Sequence, residues 1–181
     1  RDMFIALPGL TLAIDEIDQF EDVMKTAEKA IRNFINEEPV GYKIYEMEHP
    51  DVLLWAVWAL QQYAKETSRE QCRQKYGELL KDIMQYIRQR KHENLFLHEN
   101  GLLYANGTEK AIRWMNCTVN GHPVIPSTGY IVEFNALWYN ALRFVADLVR
   151  EGGDAIFADV LDAQAEVTGK SFVDVFRNEY G

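Results

Sequence analysis

Cysteine is scarce: Cys72 and Cys117 are the only two in 181 residues, and they stand far apart. A disulfide framework needs more thiols at closer spacing, so both are expected to be free. Positive charge is also in deficit. Lys and Arg number 19 against 28 Asp and Glu, leaving a formal net charge of -9. Nucleic acid demands a basic face, so it is excluded as a partner. Long apolar runs are missing too. The longest, Val52 to Leu60, is too short to span a bilayer and holds two tryptophans, so no membrane partner is expected. His49, His92, His98 and His122 are scattered without Cys or carboxylate partners in register, which leaves no expectation of a metal or cofactor. His92, His98 and His122 read as surface or loop residues, and Cys117 as a small buried apolar residue. No leader is recognisable. The chain opens on Arg1 instead of Met, so its N-terminus is expected to have been cut away.

What is present is apolar residue in quantity, 48% of the chain, enough for a single domain over 1–181 with its own core. The periodicity is helical nearly throughout. Phe4 to about Ile14 reads as a first apolar helix, with Pro8 tolerated near its first turn. Phe20, Val23, Met24, Ala27, Ile31 and Phe34 form a one-sided stripe with charges opposite. Asp51 to about Tyr63 is apolar on every side, as a helix surrounded by others would be. A one-sided helix follows, with Ser68 and Gln71 as a capping box. Residues 130 to 149 are again apolar all round. Ile156, Val160, Ala163 and Val167 then give one face of an outer helix that Gly152-Gly153 introduces and Gly169 ends. Buried and amphipathic helices in alternation predict helical hairpins in concentric layers, an all-α toroid.

Lys91 to Thr128 breaks the pattern. It holds Gly101, Asn106-Gly107, Gly121 and two prolines, and it is too long for a plain connector. Short extended pieces around Gly101–Tyr104 and Ala111–Met115 are expected to pair across Asn106-Gly107.

The chemistry gathers at the starts of the apolar helices. Arg1-Asp2 precedes the first, Asp51 opens the second, and Asn116, Gly129 and Glu133 stand before or within the start of the third. If those helices run parallel, the three clusters meet at one end of the toroid, where helix N-termini favour anions and hydroxyl oxygens. Between Trp114 and Leu142 lie Trp114, Asn116, Glu133, Asn135, Trp138, Tyr139 and Asn140. Such a mixture suits a sugar site, because aromatic faces stack on pyranose rings while carboxylates and amides grip hydroxyls. Taken singly the same residues have plainer readings: Trp55, Trp58 and Trp138 as core, Asp51 as an N-cap, Asn135 and Asn140 as partners of nearby backbone. Glu133 among Val132, Phe134 and Ala136 requires a buried partner or a ligand.

The segments R-D-M-F-I-A-L-P-G-L, D-V-L-L-W-A-V-W-A-L-Q-Q-Y, G-L-L-Y-A, W-M-N and P-V-I-P-S-T-G-Y-I-V-E-F-N-A-L-W-Y-N-A-L occur in order. Together they resemble the C-terminal amylo-α-1,6-glucosidase domain of glycogen debranching enzymes over nearly the whole chain. The resemblance implies an incomplete (α/α)6 barrel, a cytoplasmic parent enzyme, and hydrolysis of α-1,6 branch points of glycogen limit dextrin with inversion. Glycogen or branched maltooligosaccharide would be the partner, gripped by Arg1, Asp2, Asp51, Trp55, Trp114, Asn135 and Trp138. Inversion uses an acid and a base with carboxyls roughly 6.5–9.5 Å apart. The resemblance places the acid at the last residue of W-M-D, where this chain has Asn116, and the base in a segment beyond Gly181. An amide has no labile proton to give at neutral pH, so Asn116 orients a sugar oxygen at most and Glu133 is the nearest acid. Ser127 replaces the family's Arg, and Met3 its Thr. The isolated chain is therefore expected to be catalytically silent and to self-associate through uncovered inner surfaces. The competing readings are a glucan-binding module that has lost its acid and a helical scaffold without a sugar site.

Overall fold

The computed structural model describes residues 1–38, 41, 44, 46–107, 111–125 and 127–177. Pro126 and Gly181 lie outside the described residues. Six α-helices occur among them: α1 (Asp2–Leu10), α2 (Ile17–Ile35), α3 (Val52–Glu66), α4 (Arg69–Arg88), α5 (Val132–Glu151) and α6 (Ala155–Phe176). The first apolar helix stops at Leu10, and a separate 3-10 turn (Leu12–Ile14) follows it.

Helix α3 is the centre of the fold. Val52, Leu53, Leu54, Ala56, Val57, Ala59 and Leu60 are fully buried because α1, α4 and α5 pack against it from different sides. Helix α2 lies on α4 and buries Phe20, Met24, Ala27 and Ile31, the stripe that its periodicity marks, with Phe20 stacked on Tyr63 of α3 at 5.2 Å. Helices α3–α4 and α5–α6 form hairpins, so α1, α3 and α5 touch in succession as an inner layer. The class is all-α with small sheets. At the start of α4, the Ser68 hydroxyl accepts from the Gln71 N–H at 3.1 Å, while the Gln71 amide turns away to donate to the Tyr63 hydroxyl at 2.8 Å. Only half of the reciprocal box forms, because the second half meets a better partner on α3.

Helix α6 departs from its sequence reading. Ile156, Val160, Ala163 and Val167 face outward, with Ile156 83% exposed, and the buried line is Ala158, Leu161, Ala165 and Thr168. Smaller side chains let α6 approach its neighbours closely. Gly169 lies inside the helix, where a Cβ would come within 3.0 Å of the Tyr139 ring on α5. The Thr168 hydroxyl donates to the Gly101 carbonyl at 2.7 Å.

Among the described residues, the segment between α4 and α5 carries five short strands. Strands β1 (Leu95–Leu97), β2 (Leu103–Ala105) and β5 (Gly129–Tyr130) form one antiparallel sheet in the order β1-β2-β5. Strands β3 (Thr118–Val119) and β4 (His122–Pro123) form a hairpin whose tip, Asn120-Gly121, has positive φ at both residues as a primed turn requires. The expected pairing of 101–104 with 111–115 is not formed: residues 111–115 are not a strand, and β2 pairs with β1 and β5 instead. One single-residue reading changes, that of Cys117, and His92 lies in a loop as expected but is enclosed there. His92 is 1% exposed, and Cys117 is exposed.

Candidate functional site at the inner helix starts

Arg1 and Asp51 stand 50 residues apart and meet inside the protein. Arg1 Nε donates to Asp51 Oδ2 at 2.6 Å and Nη2 to Oδ1 at 3.3 Å, and both side chains are 2% exposed. The carboxylate of Asp51, the N-cap of α3, makes no capping bond because Arg1 occupies it. Arg1 Nη2 also lies 3.2 Å from His49 Nδ1 and donates to the Ile112 carbonyl at 3.0 Å. Burial first, and Arg1 beside it, hold the His49 pKa below the ordinary histidine value, which favours the neutral ring that can accept from Arg1.

Arg113 follows Ile112, and its Nη1 is 3.5 Å from Glu133 Oε1 in the first turn of α5. The chain of contacts from Asp51 through Arg1 and Ile112–Arg113 to Glu133 therefore joins the N-terminal ends of α1, α3 and α5. Glu133 Oε1 and Arg113 Nε are both enclosed without a hydrogen bond among the described residues. Enclosed polar atoms left in this way normally bond to water or to a ligand. Asn116 and Asp2 are exposed nearby in sequence, and Trp114 is 62% exposed. Its indole is thus available for stacking.

The other residues with a sequence-based site reading take different places. Trp55 is half-buried in the first turn of α3, edge-on to Trp58 with centroids 5.5 Å apart. Trp138 is fully enclosed in the core and presents no face to solvent. Asn135 is fully buried and behaves as a stand-in for a strand: Oδ1 accepts from Leu103 N–H at 2.7 Å and Nδ2 donates to the Leu103 and Ile131 carbonyls at 3.0 and 3.1 Å. Its companion Asn140 bonds Gln61 on α3, not backbone. Ser127 is buried, with its hydroxyl 3.4 Å from the Ile125 carbonyl.

His49 and Arg113 belong to the cluster, and sequence reasoning passed over both. The only available signal was adjacency, His49 two residues before Asp51 and Arg113 directly before Trp114. Two cavities lie elsewhere: one of ≈ 470 Å³ beside Phe34, Tyr86 and His92, and one of ≈ 600 Å³ between α5 and α6 beside Tyr139 and Phe172. Among the described residues no three His, Cys, Asp or Glu gather as a metal site, and no helix is long and apolar enough to cross a membrane.

The protein family described as amylo-alpha-1,6-glucosidase matches residues 1–180 of the chain. No curated protein and no solved structure matches it.

Proposed function

The chain belongs to the amylo-alpha-1,6-glucosidase family, and from that premise we propose that it is part of a glycogen debranching enzyme acting on α-1,6 branch points of limit dextrin. The observation that carries this reading is the convergence of Asp51, Arg1, Arg113 and Glu133 at the starts of three neighbouring inner helices. Arg1 and Asp51 hold one another and brace the floor. Glu133, tied on one side to Arg113, keeps oxygen lone pairs for sugar hydroxyls. Asp2 and Asn116 add polar contacts at the rim, and Trp114 with Trp55 supplies the stacking faces. Asn135 and Trp138 act from behind, the first by tying β2 to α5 and the second by filling the core.

A specific residue favours a second reading. Asn116 stands where the family resemblance calls for a proton donor, and an amide cannot protonate a leaving oxygen. In that reading the site binds branched glucan without cleaving it. A glucose-release assay on limit dextrin, run on the whole protein and on its Asn116→Asp variant, separates the two. Restoring the acid should raise turnover by about a hundredfold if it is the missing half of catalysis. Vigorous release by the unaltered protein would show that another group, Glu133 first, serves as acid. Absence of both release and glucan binding would reject the carbohydrate reading altogether.

A further inference from the structure

Strand alternation sets up a second surface in the α4–α5 segment. On β1 and β2, Leu95, Leu97, Leu103 and Ala105 turn into the core, so Phe96 and Tyr104 turn the other way and stay half-buried. The register places Phe96 opposite Tyr104, and Tyr104 opposite Tyr130 of β5. Three aromatic rings thus cross three adjacent strands in one row, about 10 Å from end to end at the usual strand spacing. The core needs none of them on that face.

The row ends in a prepared polar group. Tyr104 and Tyr130 meet edge to face with centroids 5.8 Å apart, and the His98 ring lies flat on Tyr104 at 5.0 Å with planes 12° apart. Asn100 Oδ1 accepts from the Leu102 N–H at 3.1 Å, which orients its amide so that Nδ2 donates to the Tyr130 oxygen at 3.1 Å. His98 Nδ1 lies 2.8 Å from the same oxygen, and with the ring neutral and its proton on Nε2 it accepts the Tyr130 hydroxyl hydrogen. A neutral imidazole that accepts at Nδ1 carries its proton on Nε2. In that tautomer a histidine N–H donor stands beside a half-exposed aromatic row. Tyr130 lies three residues before Glu133, so the platform adjoins the inner helix starts.

We infer that the outer face of the β1-β2-β5 sheet, with Tyr104, Tyr130 and His98 at its centre, is an additional subsite for the α-glucan chain flanking the branch. The half-exposed Tyr104 and Tyr130 rings stand at 85° to one another, so one pyranose ring packs its apolar face on one of them while His98, in its Nε2–H tautomer, meets a ring hydroxyl. This rests on the carbohydrate reading of the inner helix starts, and the test is built to tell the two apart.

The test is calorimetric titration of the full chain with maltopentaose, alongside its Tyr104→Leu and Trp114→Ala variants, with circular dichroism to verify folding. Tyr104→Leu should weaken binding about tenfold, as removal of a stacking face does. Should that variant melt early, Tyr130→Phe, which deletes one oxygen, takes its place with an expected loss of about threefold. Nitrogen-15 spectra of His98 should show the Nε2–H tautomer, and the Tyr130→Phe change should shift it. Unchanged affinity in a folded Tyr104→Leu chain, with binding lost in Trp114→Ala, would overturn the platform and leave the inner site standing. An Nδ1–H tautomer at His98 would also overturn it. No binding by the unaltered chain would defeat both readings together.

Discussion

A neutral histidine inside the protein makes its stability depend on pH. His92 accepts from the Asn94 N–H at 3.0 Å and meets the Phe34 and Tyr86 rings edge-on at 5.7 and 6.1 Å. Burial depresses its pKa from the ordinary 6.5 to about 4. The unfolded chain therefore binds a proton between those values that the folded chain refuses. Stability is complete above pH 6.5 and falls as the pH drops toward 4, by roughly 3 kcal/mol for this group. Urea unfolding of His92→Gln should show a flatter decline over that window than the unaltered chain, and equal slopes would rule the histidine out. None of this was legible beforehand. A loop position beside Lys91 and Glu93 reads as wet, and only the packing of α2 and α4 around it reverses that.

Elements were legible in proportion to how one-sided they are. Helices α2 and α4 bury the stripes that their periodicity marks, because charge on the opposite face leaves one solution. Helix α6 is apolar on both sides, so its period could not select between two faces. Strand pairing failed for a related reason: β2 is three residues long and its partners are set by contacts from outside the sheet. Asn135 is the chief of these, holding Leu103 by both its N–H and its carbonyl. The change Asn135→Ala should leave the Leu103 groups and the Ile131 carbonyl without this partner and cost about 3 kcal/mol. Thermal melts would read it as a large drop in midpoint, and a drop of a degree or two would mean that water replaces the amide at little cost.

At the scale of the whole molecule, α6 leaves Ile156, Val160 and Val167 exposed along one face, and Val173 exposed at the groove of ≈ 600 Å³ that Tyr139 and Phe172 help to line. Apolar surface that continues along a helix seldom stays bare in solution. The chain is predicted to self-associate with rising concentration, and Val160→Lys with Val167→Glu should reduce it. Sedimentation that finds one monomeric species at high concentration for the unaltered chain would refute this.

The sequence alone determined the helical class, the inner position of α3 and the family motifs, since these rest on local period and on residue types in order. Asn116, where the resemblance implies an acid, is likewise legible without any coordinates. Only the tertiary structure decided which polar residues face one another. Arg1 reaches Asp51 across 50 residues, and Arg113 neighbours Glu133. It also decided that Trp138 and Asn135 turn inward while Tyr104 and Tyr130 turn out. The physical reason is that side-chain direction and long-range pairing are set by how helices and strands pack on each other, and a one-dimensional pattern records neither.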